Sequence, residues 1–164
     1  MRNRSRLDLI CVPEGMDTIF AHERWTDLKP TWLEAGLLDQ AGAPTPRMVD
    51  GGAAGLRIDL PTTRVVYANQ LGGFRVHCPR CGVGVASEFA HAIERARNQG
   101  AIEVFCRACQ ATHPMDALHT RPPIRVGRSA LVLQDAGGSR LSPLGASAIR
   151  EWIGAFSVVL RRVS

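Results

Sequence analysis

Two cysteine pairs carry the densest chemistry in this chain. They are Cys78-Pro-Arg-Cys81-Gly82 and Cys106-Arg-Ala-Cys109, with 24 residues between Cys81 and Cys106. Two residues between paired cysteines let one tight turn aim both sulfurs at a single ion, and a glycine just past the second sulfur permits the positive φ such a turn often needs. Two such turns supply four thiolates, the closed tetrahedral set that structural zinc prefers. We therefore expect one structural zinc on Cys78, Cys81, Cys106 and Cys109, and assign no catalytic residue and no further cofactor. His77 and His113 flank the two turns. Either could replace a cysteine, although the four-sulfur set is complete without them.

The Cys-Pro-x-Cys-Gly half resembles the zinc-ribbon fold group, in which each knuckle lies at the turn of a β-hairpin. The resemblance spans residues 74–114 and implies a ribbon fold and a bound zinc, but no reaction. The second half departs from that pattern, since Gln110 stands where a glycine is frequent. The outline is also similar to that of small bacterial proteins. A competing redox reading exists, because Cys78-Pro-Arg-Cys81 is similar to the active-site dithiol of glutaredoxin-type proteins. That dithiol should open a helix after a strand, where the helix N-terminus lowers the thiol pKa. Gly82-Val-Gly84 is a poor helix start, and a second pair downstream favours metal. Cys11 makes the cysteine count odd at five, which argues against a disulfide framework. It reads as a small buried hydrophobe.

Other chemistries fit worse. His91-Ala-Ile-Glu94 superficially resembles a zinc-deaminase motif, but that motif needs His-x-Glu and a proline before the second cysteine pair, where Phe105 stands. His22-Glu23 lacks the second histidine of a zinc-protease helix. Gly51-Gly-Ala-Ala-Gly55 has no following Lys-Ser/Thr and is not a phosphate loop.

The elements that must position the cysteines follow from periodicity. Leu7–Val12 reads as a first strand. Asp17 is placed to cap a helix carrying Ile19, Phe20, Trp25 and Leu28, which Pro30 interrupts and a Thr31/Glu34 capping box restarts until Gly42. Leu56–Leu60 alternates as a half-buried strand, and Arg64–Asn69 and Phe74–His77 follow as strands. Ser87–Asn98 predicts a helix between the knuckles, capped by Ser87 and ended by Gly100, and Ile102–Phe105 a strand into the second pair. Arg128–Gln134 is a strand. Ser142-Pro143 opens a helix with Leu144, Ala148, Ile149, Trp152 and Ile153 on one face, and Phe156–Val163 closes as a strand. Trp25, Trp32 and Trp152 fall on apolar helix faces, and Phe74, Phe89 and Phe105 are assigned to core. Leaving out the middle, strand-helix-strand occurs twice, which resembles a ferredoxin-like α+β sandwich. We expect residues 1–70 and 126–164 to form its two halves and residues 71–125 to be an inserted zinc ribbon.

The 164 residues are 45% hydrophobic and 21% charged, which suits one globular domain and excludes wholesale disorder. No apolar run reaches the roughly 18 residues of a membrane span, and the apolar stretch at Leu7–Val12 is too short for a signal peptide. A soluble, cytoplasmic protein is expected. Net charge is +5, and residues 71–130 hold 8 basic against 4 acidic groups. Arg75, Arg80, Arg95, Arg97, Arg107, Arg121, Arg125 and Arg128 could line one side and meet phosphate, though few aromatics interleave to stack bases. The expected role is non-enzymatic binding: an adaptor, assembly factor or inhibitor whose partner is another protein. Nucleic-acid binding through the Arg-rich face is the first alternative, and a thiol redox protein or an enzyme with a cleft beside the zinc is the second.

Overall fold

The computed structural model describes residues 5–69, 75–99 and 103–163. In chain order its elements are β1 (Arg6–Pro13), α1 (Trp25–Glu34), β2 (Gly55–Asp59), β3 (Val65–Tyr67), β4 (Arg75–His77), α2 (Ala86–Gln99), β5 (Glu103–Phe105), β6 (Thr112–Pro114), β7 (His119–Arg121), β8 (Arg125–Gly127), β9 (Ala130–Gln134), α3 (Pro143–Ile153) and β10 (Phe156–Val163). The architecture is mixed α+β, with small antiparallel sheets around one larger one. That larger sheet runs β10-β1-β9-β2, and the remaining strands pair as β3-β8, β4-β7 and β5-β6.

β1 sits inside the four-stranded sheet, and its sequence shows why. Leu9 faces Leu160 on one side and Leu133 on the other, and Ile10 faces Val159 and Val132. A strand covered on both faces needs apolar residues at successive positions, as Leu9 to Val12 supply. One face, with Leu9, Cys11, Leu131 and Leu133, packs under Trp32, Ile149, Trp152 and Ile153 of the helices. The opposite face, with Ile10, Val12, Ala130, Val132 and Val159, is covered by Tyr67 and Val65 of β3. The β3-β8 pair therefore connects the large sheet to the cysteine-bearing middle.

The three tryptophans pack together. Trp25 stacks on Trp152 at 5.3 Å and Trp32 meets it edge-on at 5.7 Å, while the Trp152 indole N–H donates to the Ala21 carbonyl at 2.8 Å. The helix α3 starts as expected. The Gly145 N–H donates to the Ser142 hydroxyl at 2.9 Å, and Pro143 occupies the first turn. On its face Ile149, Trp152 and Ile153 are buried, but Leu144 is 45% exposed, one turn too early to reach the sheet.

The first helix differs from expectation. Asp17 caps nothing; its carboxylate takes two hydrogen bonds from the Arg64 guanidinium at 2.7 and 2.6 Å. That bridge, first of all through its hydrogen bonds, lowers the Asp17 pKa. The helix begins only at Trp25, runs through Pro30, and ends at Glu34 rather than Gly42. Pro30 cannot donate to the Thr26 carbonyl, yet burial of Trp32 holds the helix together. The Gly51-Gly52 loop serves close packing. A side chain on Gly51 would meet the Gly137 backbone at 2.8 Å, and Gly137 N–H donates to the Gly52 carbonyl at 2.8 Å.

Candidate metal centre

Each cysteine pair sits on a short turn held by the same two backbone hydrogen bonds. In the first, Cys78 N–H donates to the Val83 carbonyl and Gly82 N–H to the Cys78 carbonyl, both at 2.9 Å. In the second, Cys106 N–H donates to the Ala111 carbonyl at 2.9 Å and Gln110 N–H to the Cys106 carbonyl at 2.7 Å. The residue four past the leading cysteine is left-handed in both, with φ 74° at Gly82 and 59° at Gln110. Gln110 thus adopts the glycine conformation despite its Cβ, at about 1–2 kcal/mol. The first turn leaves β4 and returns through a Val85 N–H to Val76 carbonyl bond of 2.9 Å. The second joins β5 to β6, with Phe105 opposite Thr112.

These turns bring Cys78, Cys81, Cys106 and Cys109 together, their four Sγ atoms all within 4.8 Å of one another. Cys78 and Cys109 are 3.7 Å apart, as are Cys81 and Cys106. A Zn–S bond of about 2.3 Å gives a tetrahedron edge of about 3.8 Å, so these two spacings already match a thiolate cage. Cys78 and Cys106 are buried, Cys109 half-buried and Cys81 exposed, so the cage has one open flank. Beneath it Val85, Phe89, Ala92, Val104 and Met115 form a separate small core under α2.

Burial raises the Cys78 thiol, but the amides of Cys81 and Arg80 and the neighbouring sulfurs outweigh it, and its pKa falls from 9.0 to about 6. Cys81 receives a hydrogen bond from the Val83 amide, yet burial and its three sulfur neighbours push it up to about 11. Crowded thiols cannot all ionise together, and a cation is what lets them do so. His113, on β6, lies outside the four-sulfur cluster with Nε2 3.3 Å from Cys78 Sγ. His77 Nδ1 faces the Gly82 carbonyl at 3.2 Å, where it must be the donor.

Cys78 and Cys81 do not open a helix: the chain returns as an extended segment before α2 begins at Ala86. That start is earlier than expected, which puts Ser87 inside the first turn rather than at the cap. Gly100, Ile102 and Phe74 lie outside the described residues. Phe89 is buried, but Phe105 is 46% exposed because its neighbour Val104 takes the inward position of β5. His91 and Glu94 are exposed on α2. Cys11 is fully buried in the large sheet, and burial pushes its thiol to about 12.

The arginines do not share one side. Arg107 approaches Glu88 at 3.8 Å, Arg95 reaches the Glu103 carbonyl at 3.5 Å, and Arg128 donates to the Thr62 carbonyl at 3.1 Å. The side chain of Arg97 lies outside the described residues. Arg75, Arg121 and Arg125 do converge, in a groove of about 750 Å³ that His77 and His119 also line. His119 was not foreseen. Its signal is the mirror order of Arg75-Val-His77 and His119-Thr-Arg121, which antiparallel pairing turns into Arg-Arg and His-His rungs. Among the described residues no helix is long and apolar enough to cross a membrane. No known protein family, curated protein or solved structure matches the chain.

Proposed function

We propose that this chain is a zinc-stabilised, non-enzymatic binding protein: a ferredoxin-like sandwich of residues 1–70 and 126–164, with a zinc ribbon inserted at 71–125. The observation that carries the reading is the convergence of four cysteine sulfurs within 4.8 Å. Four thiolates fill a tetrahedral shell and leave no position for a reacting water, which supports a structural rather than a catalytic ion. The sulfur set suits zinc, and the hairpin setting of the knuckles supports the ribbon. The sheet order β10-β1-β9-β2 supports the sandwich, being the interleaved order of two strand-helix-strand units.

The partner we favour is another protein, as for an adaptor, assembly factor or inhibitor. Val83 and Phe105, each 46% exposed on the two knuckle hairpins, support it as apolar contact points beside the metal. A second reading, nucleic-acid binding, is supported by the arginine groove, which no carboxylate lines. Native against denaturing mass spectrometry with thiol counting tests the metal. One zinc lost on denaturation, with four thiols newly reactive besides Cys11, is the expected result. Metal-free protein carrying a Cys78–Cys81 disulfide would overturn it and put a thiol oxidoreductase first.

A further inference from the structure

The antiparallel pair β4-β7 sets like residues opposite one another. Arg75 stands directly opposite Arg121, and His77 directly opposite His119. Side chains on such rungs lie about 5 Å apart, and like charges placed so are destabilising. Among the described residues neither Arg75 nor Arg121 has an ion-pair partner, and both are exposed. Arg125 extends the row from β8, its guanidinium held by the Ile124 carbonyl at 2.9 Å. The groove they share has Leu118, Thr120 and Pro123 in its lining but no acid. A guanidinium fork suits paired phosphate oxygens, and three forks along one groove suit a ligand with more than one phosphate.

We propose that this groove holds the phosphodiester backbone of a single-stranded nucleic acid, without reading its bases. The proposal rests on the nucleic-acid reading above and gives it a site. A groove of about 750 Å³ exceeds a lone anion but admits a short run of one strand. No Phe, Tyr or Trp lines it, so the principal contact is through phosphate and independent of sequence.

The test is fluorescence anisotropy of a labelled oligouridine with the zinc-loaded full chain. For single strands the logarithm of affinity falls by about 0.7 per phosphate contact for each tenfold rise in salt. Three arginines therefore predict a loss of about 18-fold between about 50 and 200 mM salt. The double variant R75Q/R121Q keeps one contact and should lose only about 3-fold over that range, from a weaker start. R24Q/R140Q removes the same charge outside the groove and should bind like the unaltered chain. Absent binding at low salt, or equal weakening by both double variants, overturns the proposal. So does tighter binding to polyglutamate than to oligouridine, which would assign the groove to an acidic protein. Zinc and thiol counts on the same samples separate this failure from that of the metal reading: intact zinc without oligouridine binding sinks the groove alone.

Discussion

Removing the metal should melt one part of this molecule and spare another. The cysteine module rests on a core of its own, whose eight large apolar side chains run from Val76 to Val126. At about 1.5–3 kcal/mol each they contribute about 12–24 kcal/mol, an upper bound. A structural zinc contributes about 10–16 kcal/mol in small modules, the same order as that entire core. Its loss cannot be absorbed by so few side chains. The large sheet draws instead on the helix-facing core of Leu9, Leu131, Leu133, Ile149 and Trp152, a cluster distinct from the one that holds Cys78 and Cys106. Hydrogen exchange with and without a zinc chelator, under reducing conditions, resolves the two. The amides of Cys78, Gly82, Cys106 and Gln110 should lose protection on chelation, because their hydrogen bonds exist only within the turns. Those pairing Ile10 with Val132 and Val159 should keep it. Protection that survives chelation at the knuckles would refute the metal's folding role. Parallel loss throughout the large sheet would refute the independence of the two cores.

Other substitutions probe single steps. Gln110→Gly relieves a left-handed residue and should raise the module's stability by about 0.5–1 kcal/mol, while Gly82→Ala, whose Cβ would meet nothing within 4 Å, should lower it through φ 74° alone; chemical denaturation of the zinc-loaded forms reads both. His113→Ala removes a hydrogen bond to Cys78 Sγ and should weaken zinc binding about 10-fold, and the cobalt-substituted spectrum should remain that of four sulfurs. A change in that spectrum would make His113 a ligand. Trp152→Phe abandons the bond to the Ala21 carbonyl, leaves that acceptor short of a donor and should cost about 1–3 kcal/mol in thermal unfolding. Burial raises Cys11 from 9.0 to about 12, so its contribution to stability is full below pH 9 and declines as pH rises towards 12. Cys11→Val should flatten that alkaline limb, and Cys11 should resist alkylation until the chain unfolds.

Where local chemistry dictates geometry, the sequence was legible. Phe156–Val163 forms as read, because Phe156, Val158, Val159 and Val163 favour a strand and Gly154 ends the preceding helix. Ser142-Pro143 marks a helix start through one hydroxyl and one fixed φ. The four cysteines converge because their spacing describes two identical turns. What was lost to the sequence depends on distant partners. Asp17 has the right type for a cap, but Arg64, far along the chain, takes its carboxylate. The strands β6, β7 and β8 are three residues each and carry no apolar alternation, so nothing local distinguishes them from loop. The spacing places Gln110 at a glycine position, but its residue type gives no sign of the left-handed φ of 59° that the turn imposes.

The same distinction bears on function. The metal set is written in residue types at short spacing, whereas the arginine groove exists only through the register of β4 against β7. Eight basic residues among 71–130 suggest one charged face, but the fold divides them. Arg107 and Arg95 are drawn to partners on α2 and β5, Arg128 to the loop before β3, and three others are left facing an acid-free groove. Only Arg75, Arg121 and Arg125 line the groove, so a strand lying in it should report three contacts rather than eight. A slope near −2 then distinguishes the groove from a diffuse basic surface, which would give a slope steeper than −5. The measurement counts the arginines that the groove presents to one strand.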